Sequence, residues 1–275
     1  LPHSPPSGEY SIDAGGPYRE TWSDFAEELQ SMVLPLLVPT PNARNASGTD
    51  RECWVPQPLI GGPPNASVSV NTPQAVRTGQ PGGQDGPSGQ SGQGGRGIRA
   101  QVHAEMLRFL GRMLGVAIRT QHFIALRIAP LIWSILAGEG PSLALLDRVD
   151  NSISIFDIIR NIHETGVGEE DFEHVVFETF TALSSGNDHT RLELIPGGSE
   201  RPVTFQNRET FVALLENFRL HEFDEAAHLM RDGLFSVVPG PLVQLLFTGP
   251  ELETLACGQS EIDVDLLAEI CEYSG

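Results

Sequence analysis

Three cysteines, Cys53, Cys257 and Cys271, are the candidate nucleophiles of this 275-residue sequence. A thiolate attacks carbonyl carbons and forms thioesters, but it needs nearby cations that lower the pKa of the thiol. Mostly carboxylates neighbour these three residues in the sequence, and Cys257 closes an apolar helical segment in front of Gly258. No serine lies in a G-x-S-x-G elbow, the sharp strand-to-helix turn that exposes a catalytic serine. The sequence therefore predicts unreactive thiols and no catalytic residue.

Histidines could in principle bind a metal ion, and His221, Glu222 and His228 suggest zinc. A helical zinc site needs two histidines four residues apart, one turn from each other, whereas His221 and His228 are separated by about 10 Å along a helix axis. Three further histidines share no metal-binding spacing either: His163, His174 and His189. We therefore predict solvated histidines with carboxylate partners, no metal site and no cofactor.

The composition excludes several classes of function. The sequence has 17 Lys and Arg against 36 Asp and Glu, a formal net charge of −19 and a pI near 4.7. Such a chain releases no counterions on binding an anionic polymer, so we predict no nucleic-acid partner. No apolar run approaches the roughly 18 residues of a transmembrane segment, and the first ten residues do not resemble a signal peptide. Three scattered cysteines build no disulfide framework, which favours the reducing cytoplasm.

The elements that must position any site are mostly helices. Apolar residues at helical spacing predict helices over 19–32, 102–120, 129–136, 151–163, 169–183 and 207–231, and a last helix after Asp263. Two strands, 191–195 and 202–205, are predicted on either side of the turn 196–199, and the prolines of 35–64 exclude long helices there. The fold class is therefore α+β and mostly helical.

Two segments are not expected to pack. Residues 1–16 are rich in Pro and Gly and are predicted to be an extended N-terminal segment. Residues 71–97 contain a single valine and no aromatic residue, which predicts a disordered Gly/Ser/Gln-rich insert. The end of the insert, 92–97, matches the dinucleotide-binding pattern G-x-G-x-x-G. No strand precedes this match, so we do not interpret it as a phosphate cradle.

Several motifs resemble those of one family and occur in the same order as in that family. They are IDAGGPYRE (12–20), TWSDFAEELQ (21–30), FLGRMLGVAIRT (109–120), IALRIAPLIW (124–133), ELIPGGSERPVTFQNRETFV (193–212), FRLHEFDEA (218–226), MRDGLFSVVP (230–239) and ELETLACGQSEIDVDLL (251–267). Together they resemble the catalytic module of HECT-type E3 ubiquitin ligases, in particular the large HERC-like members. The resemblance covers nearly the whole chain outside the N-terminal segment and the insert.

This resemblance implies a two-lobed mechanism. A larger N-terminal lobe, consisting of a helical large subdomain and a smaller helical and β-hairpin subdomain, docks a ubiquitin-conjugating enzyme (E2). A C-terminal lobe carries a cysteine that accepts ubiquitin from the E2 thioester and passes it to a substrate lysine. That cysteine follows a threonine in the family, and no cysteine here does, while Cys257 matches a structural Cys-Gly pair. We therefore expect residues 17–275 to be a partial HECT domain, the N-lobe, with the C-lobe and its catalytic cysteine beyond residue 275.

The family docks its E2 in an apolar groove of the smaller subdomain. Carried over from the motif RPVTFQNR, the groove positions fall on Phe211 and Leu215, which are four residues apart and share a helix face. Ile155, Ile158 and Ile159 are available for the opposite wall. Ordinary core packing of all five residues is the alternative at the level of the site. At the level of the protein, the alternative to an E2-docking lobe is a non-catalytic helical interaction scaffold.

Overall fold

A computed structural model describes residues 16–34, 36–59, 93–187, 189–259 and 264 of the chain. Its helices are α1 (Gly16–Leu29), α2 (Pro41–Asn45), α3 (Gln93–Thr120), α4 (Pro130–Ala137), α5 (Leu143–Val149), α6 (Ile153–Arg160), α7 (Glu169–Val175), α8 (Arg208–His221), α9 (Asp224–Phe235), α10 (Gly240–Leu246) and α11 (Gly249–Cys257). Short 3-10 turns occur at Ile162–Thr165 and Gly198–Glu200. The predicted fold class, α+β and mostly helical, is confirmed.

The strands form two small antiparallel pairs. β1 (Leu37–Pro39) pairs with β2 (Trp54–Pro56), and β3 (Thr181–Leu183) pairs with β4 (Arg191–Glu193). Within the described residues no helix is long and apolar enough to span a bilayer.

The buried apolar residues separate into two cores, and each core defines a subdomain. The large subdomain contains α1 to α5, α9 to α11 and the β1–β2 pair, and its core includes Trp133 and Leu114. The small subdomain contains α6 to α8 and the β3–β4 hairpin, and its core includes Phe172 and Phe211. Because burial of apolar area is the main stabilising contribution, two separate cores give two structural units joined at a junction.

The large subdomain is built on the close contact of α3 with α9. Gly111 of α3 lies against the carbonyl oxygen of Met230, and Gly233 of α9 lies against that of Arg108. A Cβ at either glycine would come within about 2 Å of those oxygens, so only glycine permits this helix separation. Leu107, buried on the same face of α3, belongs to the core beside this contact.

The ends of α4 are set by local sequence. Pro130 occupies the first turn, where its missing N–H breaks no helical hydrogen bond, and Gly138 ends the helix with a φ of 88°. Between them the side chains of Leu131 to Ala137 are all buried. The helix predicted over 129–136 is therefore confirmed within one residue at each end.

Two predictions about the small subdomain are wrong. The helix predicted over 169–183 ends at Val175, and Thr181–Leu183 forms strand β3. The β-branched and aromatic residues of this stretch pack on a hairpin face, which outweighs helical periodicity. The partner of β4 is β3 rather than 202–205, where Pro202 makes a single antiparallel bridge with Thr179.

The long helix predicted over 207–231 is also wrong, because it is interrupted at Glu222 and Phe223. α8 ends at His221 and α9 begins at Asp224, although no Gly or Pro lies between them. Phe223 is buried in the core of the large subdomain, whereas Phe218 is buried in that of the small one. One straight helix could not place both side chains in different cores, so tertiary packing sets the break.

The boundary of the predicted insert needs a further correction. Residues 93–97, assigned to the disordered insert, form the first turns of α3. A formed helix extends at little cost once its nucleus exists, and no proline lies between Pro87 and this helix. The remainder of the insert, 71–92, lies outside the described residues, as do residues 1–15 and almost all of the helix predicted after Asp263.

Candidate functional site

The two helices that carry the predicted groove residues lie side by side. α6 packs against α8 in the small subdomain. The guanidinium of Arg160 at the end of α6 lies 2.7 Å from the carboxylate of Glu216 on α8, and Nε of Arg208 donates to the carbonyl oxygen of Arg160 at 3.2 Å. Leu215 of α8 packs against the same core that buries Ile159 of α6.

Phe211 does not lie in an exposed groove. Its side chain is 1% exposed and its ring contacts that of Phe180 edge to face, with centroids 5.6 Å apart and planes at 76°. Ile159 is also buried, in the same core. Neither side chain is therefore exposed in the structure, and an E2-binding role for Phe211 and Ile159 stays a prediction. The physical reason for the burial is that the face of α8 carrying Phe211 packs inward, against the hairpin.

The other groove candidates are accessible. Ile155 and Ile158 are 51% and 55% exposed, and Leu215 is half-buried at the edge of the core. α6 therefore turns Phe156 and Ile159 inward and these two isoleucines outward. Exposed apolar residues near one another are candidates for contact with a partner protein. We call Ile155, Ile158 and Leu215 the α6–α8 patch.

Three exposed apolar residues of the small subdomain were missed by sequence reasoning. Phe177 is 82% exposed, and Val175 and Leu183 are about half exposed. They lie in the stretch that was assigned to a single helix, so their exposure could not be read from helical periodicity. The β-branched and aromatic residues concentrated between Val175 and Thr181 were the sequence signal that could have indicated an extended segment here.

A buried polar cluster fixes the small subdomain at the junction. The carboxylate of Glu222, just after α8, accepts hydrogen bonds from the hydroxyls of Ser184 and Ser185, both at 2.9 Å, and from the backbone N–H of Ser185 at 2.5 Å. Arg219 donates to Glu222 at 3.0 Å and lies 3.7 Å from the carboxylate of Asp150. The side chain of Glu222 is 3% exposed, so these bonds replace its lost hydration.

The large subdomain contributes to the same cluster. Arg44 of α2 donates from Nη2 to the carbonyl oxygen of Ser185 at 2.5 Å and from Nη1 to that of Gly186 at 3.4 Å. Burial lowers the pKa of Arg44, and the nearby Glu222 opposes that effect. The side chain of Gln57 accepts a hydrogen bond from the N–H of Asn187 at 3.0 Å. The loop after β3 is therefore held from both subdomains, which orients the α6–α8 patch relative to α3 and α9.

The described cysteines are not activated. Burial raises the pKa of Cys53 to about 12, and the carboxylates of Asp50 and Glu52 add to this shift. Burial likewise raises the pKa of Cys257 to about 12. Both thiols therefore remain protonated at neutral pH and cannot act as nucleophiles. Cys271 lies outside the described residues.

The histidines form no metal site in the described part of the chain. Nδ1 of His221 lies 2.7 Å from a carboxylate oxygen of Asp224, and His228 is exposed one helix further on. Among the residues with described structure, no group of three or more His, Cys, Asp and Glu is arranged to hold a metal ion.

Comparison with known proteins identifies the family. The family model described as HECT-domain (ubiquitin-transferase) matches residues 66–275. The chain belongs to the HECT-domain family. It is 34% identical over 268 residues to the E3 ubiquitin-protein ligase HERC2 of Homo sapiens and to that of Mus musculus. It is 29% identical over 175 residues to the E3 ubiquitin-protein ligase RSP5 of Emericella nidulans.

These relatives are much longer than the chain. The match to HERC2 covers 98% of this HECT-domain chain but 5% of either HERC2 protein. The match to RSP5 covers 63% of the chain and 20% of that relative. The similarity to HERC2 confirms the resemblance to the large HERC-like members that the sequence motifs indicated.

Proposed function

We propose that this chain is the docking lobe of a HECT-type E3 ubiquitin ligase. It binds a ubiquitin-conjugating enzyme, from which ubiquitin passes to the catalytic cysteine of a C-terminal lobe and then to a substrate lysine. The observation that carries the proposal is the exposed α6–α8 patch on a chain of the HECT-domain family. The chain's own part in this reaction is to bind and orient the E2, because its described thiols are protonated.

The patch has the properties of a transient interface. Ile155 and Ile158 lie three residues apart and half exposed on α6, and Leu215 lies half-buried on α8, the helix that packs against α6. A few apolar residues at the centre of a small interface usually carry most of the binding energy. A small patch therefore suits an E2, which must dissociate and be recharged after each transfer.

Charge supports a basic partner. Residues 151–222, which span the small subdomain, contain thirteen Asp and Glu against five Arg. Asp157 lies between the two isoleucines of the patch with a side chain that is 67% exposed. An acidic surface accelerates encounter with a partner that presents basic residues, and salt screens this effect. We expect the association rate to fall as ionic strength rises; a rate independent of salt would remove the electrostatic part of the proposal.

The decisive experiment is NMR titration of the chain with a panel of E2 enzymes. We expect Ile158→Ala to weaken binding by about 1 to 2 kcal/mol, or roughly 5- to 30-fold, without lowering stability, because the side chain is exposed before binding. Val102→Ala is the matched control: Val102 is 53% exposed, but it lies on α3 of the large subdomain. Equal affinities for both variants would place the docking site elsewhere.

The alternative function is a helical interaction scaffold with no role in ubiquitin transfer. The exposed residues that lie outside the α6–α8 patch favour it, because Phe177 offers a large apolar contact. The same titration separates the two functions. If no E2 of the panel shifts the resonances of Ile155, Ile158 or Leu215, the scaffold accounts for the exposed surface better than the docking lobe does.

A further inference from the structure

This chain contains arginine but no lysine. The 17 cationic side chains are all guanidinium groups, and the 275 residues contain no lysine. Lysine is among the commonest residues of soluble proteins, so its complete replacement in an otherwise ordinary globular chain is unexpected.

Packing requires arginine at only a few of these positions. Arg44 binds two backbone carbonyl oxygens with separate nitrogens, and Arg219 bonds to both Ser185 and Glu222. Arg208 donates to two carbonyl oxygens, and its guanidinium lies over the ring of Phe205 at 4.1 Å. At such sites the planar fork of donors cannot be replaced by an ammonium group.

The geometry of other positions would accept lysine. Arg108 pairs with Glu105 one helical turn away, at 2.7 Å, which is a contact that a single ammonium group makes equally well. Arg119 and Arg127 are exposed at the surface of the large subdomain. Packing and ion pairing therefore do not account for the absence of lysine. The two side chains also differ in their reactivity toward a thioester.

Ubiquitin transfer distinguishes the two side chains. The uncharged ε-amine of lysine attacks the carbonyl carbon of a ubiquitin thioester, the C–S bond breaks, the thiolate leaves, and the amine loses a proton as the amide forms. A guanidinium stays protonated at all physiological pH values and has no lone pair to attack with. An arginine surface therefore carries positive charge without offering an acceptor for ubiquitin.

We infer that the chain is free of ubiquitin acceptors of the lysine type, so that a thioester held at the α6–α8 patch is not discharged onto the lobe that holds it. The inference rests on the proposed function, since it requires a docked E2. Arg160 shows the consequence most clearly. It lies two residues after Ile158, is 36% exposed, and pairs with Asp157 and Glu216. A lysine there would put an ε-amine directly beside the docking patch.

The test uses the whole chain, an E2 that reacts with free lysine in solution, and ubiquitin charged on that E2. We expect no adduct resistant to reductant on any side chain of the natural chain; mass spectrometry distinguishes an adduct at the α-amino group, which the inference does not concern. In the Arg160→Lys variant we expect a single ubiquitin, located by mass spectrometry at the substituted position. Arg201→Lys is a second acceptor variant in the same subdomain, in case the first does not fold. Arg119→Lys on α3 is the control, and we expect its modification to be slower by on the order of tenfold, because docking raises the local concentration mainly near the patch.

Binding is measured on the same samples by NMR, so that two failures are distinguishable. If the E2 does not bind, the proposed function fails. If it binds and a side chain of the natural chain is modified, or if it binds and neither Arg160→Lys nor Arg201→Lys is modified, the inference is overturned while docking stands.

Discussion

Replacing Phe211 by alanine tests whether this residue stabilises the small subdomain or binds a partner. The side chain is 1% exposed and makes an edge-to-face contact with Phe180 at 5.6 Å. Truncating a fully buried phenylalanine costs about 3 to 5 kcal/mol, which includes the cavity that remains. Part of that cost, about 0.5 to 1.5 kcal/mol, is the ring–ring contact itself. We therefore expect the free energy of unfolding to fall by about 4 kcal/mol in Phe211→Ala.

The assay must distinguish the two cores. All three tryptophans, Trp22, Trp54 and Trp133, belong to the large subdomain, so their fluorescence reports on that core. Hydrogen exchange of the amides in α6 and α8 reports on the small one. In Phe211→Ala we expect the free energy of exchange of the amides in α6 and α8 to fall by about 3 to 5 kcal/mol. We expect the urea midpoint of the tryptophan fluorescence transition to fall by less than that loss implies.

Leu215→Ala is the matched control on the same helix. Leu215 is half-buried at the edge of the core, so its truncation should cost about 1 to 2 kcal/mol, less than the loss at a buried site. A loss below about 1 kcal/mol in Phe211→Ala would refute the reasoning, because it would mean that the ring is not part of a packed core. An E2 affinity that fell in Phe211→Ala with protection unchanged would restore Phe211 to the docking surface.

Three further predictions concern buried polar groups. Glu222→Gln should lower the free energy of unfolding by about 2 to 4 kcal/mol, because it removes the nearest buried carboxylate of Arg219 and leaves only Asp150, at 3.7 Å; chemical denaturation measures this. Burial lowers the pKa of His103, so the folded state resists protonation and stability should fall as pH drops below the ordinary value of 6.5. His103→Gln should remove that loss in urea midpoints compared at about pH 7.5 and about pH 5.5. Iodoacetamide should alkylate Cys53 and Cys257 slower by on the order of a hundredfold in the native chain than in urea, because both pKa values are raised to about 12.

Each of these predictions has a control and a contrary result. Glu225→Gln, at an exposed position of α9, should change stability little, and an equal loss in both glutamate variants would contradict a buried pair at Glu222. His228→Gln, at an exposed position, is the control for His103→Gln. If His103→Gln loses as much stability at low pH as the natural chain does, another group is responsible for the acid sensitivity. Rapid alkylation of either native thiol would contradict its protonated, buried state.

The sequence alone supported the family, the helical fold class and the unreactive state of Cys53 and Cys257. Family motifs are short stretches of sequence, so they can be recognised, with their order, without knowledge of the tertiary structure. Pro130 and Gly138 mark the ends of α4 because each restricts the backbone at its own position. The cysteine prediction also followed from neighbours along the chain, and the raised pKa values of Cys53 and Cys257 agree with it.

Tertiary structure decided which apolar residues face the core and which face solvent. Helical periodicity shows that Phe211 and Leu215 share a face, and that Ile155 and Ile158 do. It does not show what each face meets, and the structure buries Phe211 while exposing the two isoleucines. For the same reason the break after His221 had no local signal. It arises because neighbouring residues are buried in two different cores, and only the packing of the whole chain creates those cores.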